Sequence, residues 1–159
     1  MRKLELYTDG SYNKDTGKCT GAFVVIEDNK MLKGAQVEVV DNDLKQSWNV
    51  SGELLTAVAA LNVVTGILGG EEAEVIVHHD YIGISKYVAT SDKWVAKKPV
   101  AVLYTKAFEA FKKDFPTVSV SFHKVKAHSG DYWNEVVDSL AKGRRVAACS
   151  GKMLPEIKI

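Results

Sequence analysis

The chain contains little cysteine: Cys19 and Cys149 are its two copies and stand far apart among 159 residues. Such a pair cannot build a disulfide framework or a zinc site made of cysteines. Long apolar runs are also missing, since none approaches the roughly 18–20 residues that cross a membrane. The charged, alternating start from Met1 to Glu5 is unlike a secretory signal. We therefore expect a reduced, cytoplasmic protein with no membrane partner.

Proline is scarce as well, and neither repeats nor low-complexity segments occur. Three prolines, 46% apolar residues and 26% charged residues form an ordinary globular composition, which excludes disordered and collagen-like chains. A chain of 159 residues suits one domain. At this length, about 70% of the unfolded surface can be buried, so the core needs no disulfide or metal to be stable.

The net charge of +1 conceals an asymmetry between the halves of the chain. Residues 1–80 carry 7 Lys or Arg and 13 Asp or Glu, a balance of −6, whereas residues 81–159 carry 14 and 7, a balance of +7. Such halves could place a carboxylate cluster beside a surface that attracts polyanions. Solvated charge scattered over both faces explains the composition equally well.

Hydrophobic periodicity predicts a mixed α/β fold. Alternating or apolar segments predict five strands, over 4–8, 21–26, 33–40, 74–79 and 118–122. Helical spacing predicts helices from an N-cap at Ser51 to Gly69, and over 81–88, 100–115 and 133–148. The order is βββ-α-β-α(α)-β-α, with a five-stranded central sheet whose first three strands form an antiparallel meander. We expect one domain over 1–149 and a mobile tail over 150–159.

Four acidic residues lie where core packing does not explain them. Asp9 and Asp80 each end a predicted strand, Glu53 is near the start of a helix, and Asp138 lies in the last helix. Each of these acids, taken alone, also fits an ordinary structural role, as a turn former, a helix-dipole partner or an exposed helix residue. As a set they suit hard divalent cations, which prefer oxygen ligands. Two such ions can clamp the attacking and leaving oxygens in phosphodiester hydrolysis.

Several motifs resemble type 1 ribonuclease H, in the order in which that family has them. They are Tyr-Thr-Asp-Gly-Ser at 7–11, Gly-Glu-Leu-Leu-Thr-Ala at 52–57, His-Asp-Tyr at 79–81, Val-Lys-Ala-His-Ser-Gly-Asp at 125–131 and Trp-Asn-Glu-Val-Val-Asp-Ser-Leu-Ala at 133–141. The resemblance spans roughly residues 3–148. It is closest to the bacterial branch related to viroplasmin-domain-linked enzymes and covers the catalytic domain only.

The resemblance implies an endonuclease that hydrolyses the RNA strand of RNA/DNA hybrids and leaves 5′-phosphate and 3′-hydroxyl ends. It implies two Mg²⁺ ions, with Mn²⁺ as an alternative, held by Asp9, Glu53, Asp80 and Asp138. Asp9 would bridge both ions, Asp138 would be nearer the ion that activates water, and the other two acids would serve the leaving-group side. Glu53 would also help to sense the 2′-hydroxyl that distinguishes RNA from DNA.

The resemblance also gives His128 a role in shuttling protons or releasing product, because an imidazole titrates near neutral pH. Without the surrounding motif it would be taken for an exposed loop residue. His78, His79 and His123 lack such a motif. We expect them to be strand residues, with one face buried and one wet, and assign them no function.

The substrate-binding residues implied by the resemblance fall into two groups. The first comprises Gly10, Ser11, Asn13, Asn49 and Asn134, of which Asn13 and Asn49 match family positions that contact the sugar edges of the hybrid. The asparagines among them are also common turn or cap residues. The second is the segment 86–98, where many relatives carry a long basic protrusion and this chain is shorter. Lys93, Trp94, Lys97 and Lys98 could form a small platform for the DNA strand, or Trp94 could simply anchor a loop.

Two other functions share these features. A resolvase- or integrase-like DNA nuclease has the same fold, but the contexts of Asp9 and His128 match the RNA-cutting branch. A non-catalytic hybrid-binding module is disfavoured because all four acids are present. We expect a monomer.

Overall fold

The computed structural model describes residues 1–126, 130–144 and 154–159. Within those residues the chain forms six strands and five helices. The strands are β1 (Arg2–Tyr12), β2 (Cys19–Glu27), β3 (Lys30–Val39), β4 (Ala73–His79), β5 (Val118–Lys124) and β6 (Glu156–Lys158). The helices are α1 (Asn42–Lys45), α2 (Asn49–Leu68), α3 (Gly83–Lys86), α4 (Pro99–Asp114) and α5 (Tyr132–Ala141).

The strands form one mixed sheet in the order β5-β4-β1-β2-β3-β6. β1, β2 and β3 pair antiparallel, whereas β4 pairs parallel to both β1 and β5. Parallel neighbours need a crossover connection, which α2 provides before β4, and α3 with α4 before β5. The predicted α/β fold with its antiparallel meander is confirmed.

Helices cover the two faces of the sheet unequally. α2 and α4 pack on one face, over Leu6 of β1 and Phe23 of β2. α5 packs on the other face, where Val137 and Leu140 contact the outward side of β1 and β2. The start of α2 and the C-terminal half of α5 therefore lie against opposite faces of the sheet near the end of β1.

α2 corrects one expectation from the sequence. A window of 18 residues within this helix of 20 has a mean hydropathy of 1.6, so the helix is long and apolar enough, by length and composition, to cross a membrane. In the structure, 61% of that apolar window is buried inside the protein, as in the core helix of a globular domain. Glu53 is the one charged residue in α2, so a carboxylate stands within an otherwise uncharged core helix.

The sheet contains a sixth strand, so the predicted count of five is wrong. β6 lies within the predicted tail and pairs parallel with β3, where Val37 is the partner of Ile157. The backbone N–H of Ile159 also donates to the carbonyl of Glu38 at 2.9 Å. The sequence could not predict β6, because a strand of three residues is too short to show a hydrophobic period. The strand forms because the edge of β3 offers unpaired backbone groups.

Two predicted helix boundaries also differ. α2 begins at Asn49, and the Ser51 hydroxyl donates to the carbonyl of Leu44 instead of capping the helix. This contact ties α2 to α1, a four-residue helix too short for periodicity to reveal. α5 ends at Ala141, followed by Gly143 in the left-handed conformation (φ 79°), which stops the helix. Residues 145–148 of that prediction lie outside the described residues.

Candidate active site

The parallel pairing of β1 with β4 brings two of the predicted acids to one edge of the sheet. Tyr7 and His78 are register partners, and Asp9 and Asp80 each follow two residues later. Side chains alternate along a strand, so Asp9 shares a face with Tyr7, the face covered by α5. Asp9 is 7% exposed, and Asp80 is half-buried.

Glu53 reaches the same edge because glycine lets α2 approach β1 closely. A Cβ added at Gly10 would lie 2.5 Å from the backbone nitrogen of Glu53 and 2.9 Å from the carbonyl carbon of Gly52. A Cβ at Gly52 would lie 2.4 Å from the carbonyl oxygen of Thr20 on β2. No side chain fits at either contact. The Glu53 side chain is therefore held at the end of β1, with 7% of the residue exposed.

Asp138 comes to the cluster from the opposite face, on α5. Its carboxyl lies close enough to that of Asp9 to raise the pKa of Asp9. It also pairs with Lys142 one turn later, with the Lys142 Nζ 3.1 Å from an Asp138 oxygen. Asp138 therefore stands at the boundary between the buried acids and solvent.

Burial and mutual repulsion set the protonation of the two inner acids. Burial raises the pKa of Asp9 to about 7, and the neighbouring Asp138 adds to the shift. Burial and the charge of Asp9 raise the pKa of Glu53 well above its ordinary value, and Asp80 adds to this shift. Asp138 thus acts on Asp9, and Asp80 acts on Glu53, as expected when like charges lie near a poorly hydrated carboxyl.

The donor set fits a divalent cation. Among the described residues, Oε2 of Glu53 is a buried oxygen with no hydrogen-bond partner, and such an atom normally has one. No three acidic, histidine or cysteine side chains in the described part of the chain close around a single point. Mg²⁺ does not need such a cage, because it commonly binds one or two carboxylates and completes its shell with water and substrate phosphate.

His128 lies outside the described residues, so its predicted role stays a prediction. The neighbouring Gly130 has a φ of 83°, and Asp131 caps α5 by accepting from the backbone N–H of Asn134 at 3.1 Å.

The histidines without an assigned role have structural contacts. His78 stacks on Tyr7, with ring centroids 4.2 Å apart, and its Nε2 lies 3.1 Å from Glu5 Oε1. The Nδ1 of His79 lies 2.9 Å from the carbonyl of Tyr81. His123 is exposed on β5. His78 and His79, which are neighbours on β4, are thus both buried, although the sequence predicted that one of them would face solvent.

The first group of predicted substrate-binding residues occupies different settings in the structure. Gly10 and Ser11 continue β1 directly beyond Asp9. The side-chain oxygen of Asn13 accepts from the backbone N–H groups of Asp15 and Thr16, so this exposed residue shapes the β1–β2 loop. Asn49 is exposed at the start of α2, and Asn134 is buried in the first turn of α5. Their contacts with substrate stay predictions.

The segment 86–98 joins the acid cluster through aromatic contacts. Trp94 packs edge-on against Tyr81 and Tyr87, with centroids 6.5 and 5.5 Å apart. Tyr81 directly follows Asp80, and Glu53 contributes to the raised pKa of its phenol after burial and Tyr87. Trp94 therefore anchors the loop, and its 39% exposure leaves part of the indole open to solvent.

The lysines of this segment differ in their contacts. The Lys93 Nζ lies 3.9 Å from a Glu109 oxygen, and both side chains are well exposed. Lys97 and Lys98 precede α4 and are exposed.

Tyr81 was missed as a member of the site, although its place beside Asp80 in the motif was a signal for it.

Comparisons with known proteins identify the fold first. LC11-RNase H1, isolated from compost by a metagenomic approach, superposes with a TM-score of 0.71 at 18% identity, covering 90% of this chain and 95% of that one. The same protein in complex with an RNA/DNA hybrid gives a TM-score of 0.67 at 16% identity, covering 86% and 94%. The chain therefore has the ribonuclease H fold.

Sequence comparison then identifies the family. The family model described as RNase H matches residues 1–145. Ribonuclease H of Brucella ovis is 32% identical over 154 residues, covering 89% of each chain. This chain belongs to the ribonuclease H family, as its motifs predict.

Proposed function

We propose that this chain is an endonuclease that hydrolyses the RNA strand of RNA/DNA hybrids. The observation that carries the proposal is the convergence of four acids, from two strand ends and two helices, on one edge of the sheet. Two of them, Asp9 and Glu53, are buried, and the charge of Asp9 adds to burial in raising the pKa of Glu53. Family membership and the ribonuclease H fold support the choice of substrate.

Two Mg²⁺ ions are the cations that we propose for this cluster. Asp9, Glu53, Asp80 and Asp138 would hold them, and the positive charge would offset the cost of ionising Asp9 and Glu53 in their buried positions. Such ions supply activation of the attacking water and stabilisation of charge on the leaving oxygen.

Neighbouring residues of the chain arrange the acids for this chemistry. Gly10 allows the Glu53 carboxylate to stand beside Asp9, and Lys142 places a positive charge at the outer side of Asp138. His128, by the resemblance, would transfer a proton during turnover. We also propose that the chain is a cytoplasmic monomer. Among the described residues, Cys19 is a buried thiol without a disulfide, which suits a reducing compartment.

Asp9→Asn tests the site, since it removes one buried charge and preserves shape. We expect cleavage of a labelled hybrid to be lost while the protein remains folded. Asp28→Asn is the matched control: Asp28 is exposed in the β2–β3 turn at φ 51°, a conformation that asparagine adopts readily. Retained cleavage in Asp9→Asn, or equal loss in both variants, would contradict the assignment of the site.

A further inference from the structure

Trp48 presents an exposed aromatic surface beside the acid cluster that the assigned residues do not explain. It is 62% exposed, compared with 39% for Trp94. Tyr12 lies beneath it, with ring centroids 5.9 Å apart and an angle of 16° between the rings. Tyr12 in turn packs against the core. We name Tyr12 and Trp48 together the aromatic ledge.

The backbone of Trp48 holds the indole in this exposed position at a conformational cost. Its φ of 54° and ψ of −123° are rare for a residue with a side chain. The N–H of Trp48 donates to the carbonyl of Lys45 at 3.1 Å, and the Cys19 thiol donates to the carbonyl of Trp48 at 3.0 Å. A strained residue persists where its surroundings fix it, and such residues are concentrated at functional sites.

The aromatic ledge lies near two of the acids in the chain, Asp9 on β1 and Glu53 on α2. Tyr12 is three residues beyond Asp9 on β1, and Trp48 directly precedes α2, five residues before Glu53. At 1.5 Å per helical residue, Trp48 and Glu53 are about 7–8 Å apart along the helix axis. With about 3.4 Å per nucleotide step in a duplex strand, this distance corresponds to roughly two nucleotides.

The surroundings of the ledge favour a sugar over a phosphate. Its nearest chain neighbours, Asn13 and Asn49, are exposed amides. The charged residues of the flanking loop and helix include three lysines and three aspartates, so they offer no excess positive charge: Lys14, Lys18, Lys45, Asp15, Asp41 and Asp43. An apolar ring between neutral amides suits the C–H face and hydroxyls of a ribose, which a hybrid displays in its wide, shallow minor groove.

We propose that the aromatic ledge supports a ribose of the cleaved strand about two nucleotides from the scissile bond. This inference rests on the proposed function. The ledge contacts substrate away from the reacting atoms, so its removal weakens binding and leaves the chemical step largely unchanged. Aromatic support of a nucleotide contributes about 1–3 kcal/mol, and a tenfold loss of affinity, equal to about 1.4 kcal/mol, lies within that range.

Trp48→Gly separates binding from folding, because glycine adopts the observed backbone conformation without strain. We expect Kd for a labelled hybrid to rise about tenfold, measured by fluorescence anisotropy with Mg²⁺ in an Asp9→Asn background, which prevents cleavage. In the active protein, KM should rise similarly while kcat changes less than about twofold. Trp48→Phe should bind within about threefold of the parent. Leu32→Ala, an exposed apolar residue at the other end of the sheet, is the control.

Three outcomes are informative. Failure of the parent protein to bind the hybrid would refute the proposed function itself. Binding by the parent with equal binding by Trp48→Gly would refute the ledge alone. If Trp48→Gly melts at a much lower temperature, a second experiment is used in its place. It takes the double variant Trp94→Phe, Trp133→Phe, in which Trp48 is the single tryptophan, and measures quenching of its fluorescence by acrylamide. Hybrid binding should then protect the indole from acrylamide, and unchanged quenching would overturn the proposal.

Shortened hybrids test the choice of strand. Removing nucleotides from the cleaved strand, on one side of a fixed cut site and then on the other, should abolish the tenfold difference between parent and Trp48→Gly in one of the two cases. Shortening the DNA strand should leave that difference intact. If the difference disappears only when the DNA strand is shortened, the assignment to a ribose of the cleaved strand is wrong.

Discussion

Stability of the metal-free protein should fall as pH rises, because a buried carboxyl at Asp9 is more easily accommodated when protonated. Its pKa is raised from 3.8 to about 7 by burial and by Asp138. The unfolded chain loses this proton near pH 4, whereas the folded chain keeps it until near pH 7. The contribution to stability is therefore complete below about pH 4 and is lost progressively up to about pH 7.

The size of the effect follows from the shift. About three pKa units at 1.36 kcal/mol each give at most about 4 kcal/mol. For a chain of this size, each kcal/mol changes Tm by about 2–4 °C, so the fall across this range is on the order of 10 °C. Glu53 acts in the same direction, since its pKa is also raised.

Thermal unfolding followed by circular dichroism from pH 4 to pH 8 in EDTA measures this effect. Mg²⁺ should restore Tm most strongly at pH 8, which lies above the pKa of Asp9 in the metal-free protein. Asp9→Asn should flatten the pH dependence and melt higher than the parent at pH 8 without metal, while Asp28→Asn should follow the parent. An unchanged slope in Asp9→Asn would show that Asp9 is not the source of the pH dependence and would refute the reasoning.

Two further predictions concern the approach of α2 to β1 and the loop histidine. Gly10→Ala should lower the free energy of unfolding by about 1–3 kcal/mol, since its Cβ would meet the backbone of α2. It should also reduce the rate of cleavage by more than this loss of stability explains, because it displaces Glu53. Gly66→Ala, with nothing within 4 Å of its Cβ, should be neutral or stabilise by about 0.5–1 kcal/mol; equal cleavage by the two variants would contradict this role for Gly10. His128→Ala should slow single-turnover cleavage without abolishing it, and complete loss would mean that the histidine is indispensable to the chemical step.

The main elements could be predicted because their residues carry their own signals. β1 and β3 alternate, and α2 repeats leucine at helical spacing before Gly69 ends it. α1 and β6 could not be predicted, since four and three residues show no period. Each is defined by tertiary contacts instead: Ser51 bonds to the end of α1, and the edge of β3 pairs with β6.

The acids of the site could be named from motifs, but their grouping depends on topology. Only the parallel register of β1 and β4 shows that Asp9 and Asp80 end side by side. The close approach at Gly10 likewise depends on the helix that packs there. Trp48 escaped notice because a single tryptophan has no spacing, and its positive φ cannot be read from residue type.

Cleavage of one labelled RNA strand tests the central claim most directly. The strand is presented alone, paired with RNA and paired with DNA, each with Mg²⁺ and with EDTA, and with Asp9→Asn as the control for contaminating nuclease. The proposed function predicts cutting of the RNA/DNA hybrid alone, dependent on metal and absent in Asp9→Asn. Binding of the hybrid without cutting would indicate a binding module, and cutting of a DNA duplex in a parallel reaction would indicate a DNA nuclease; either result would contradict the proposed function.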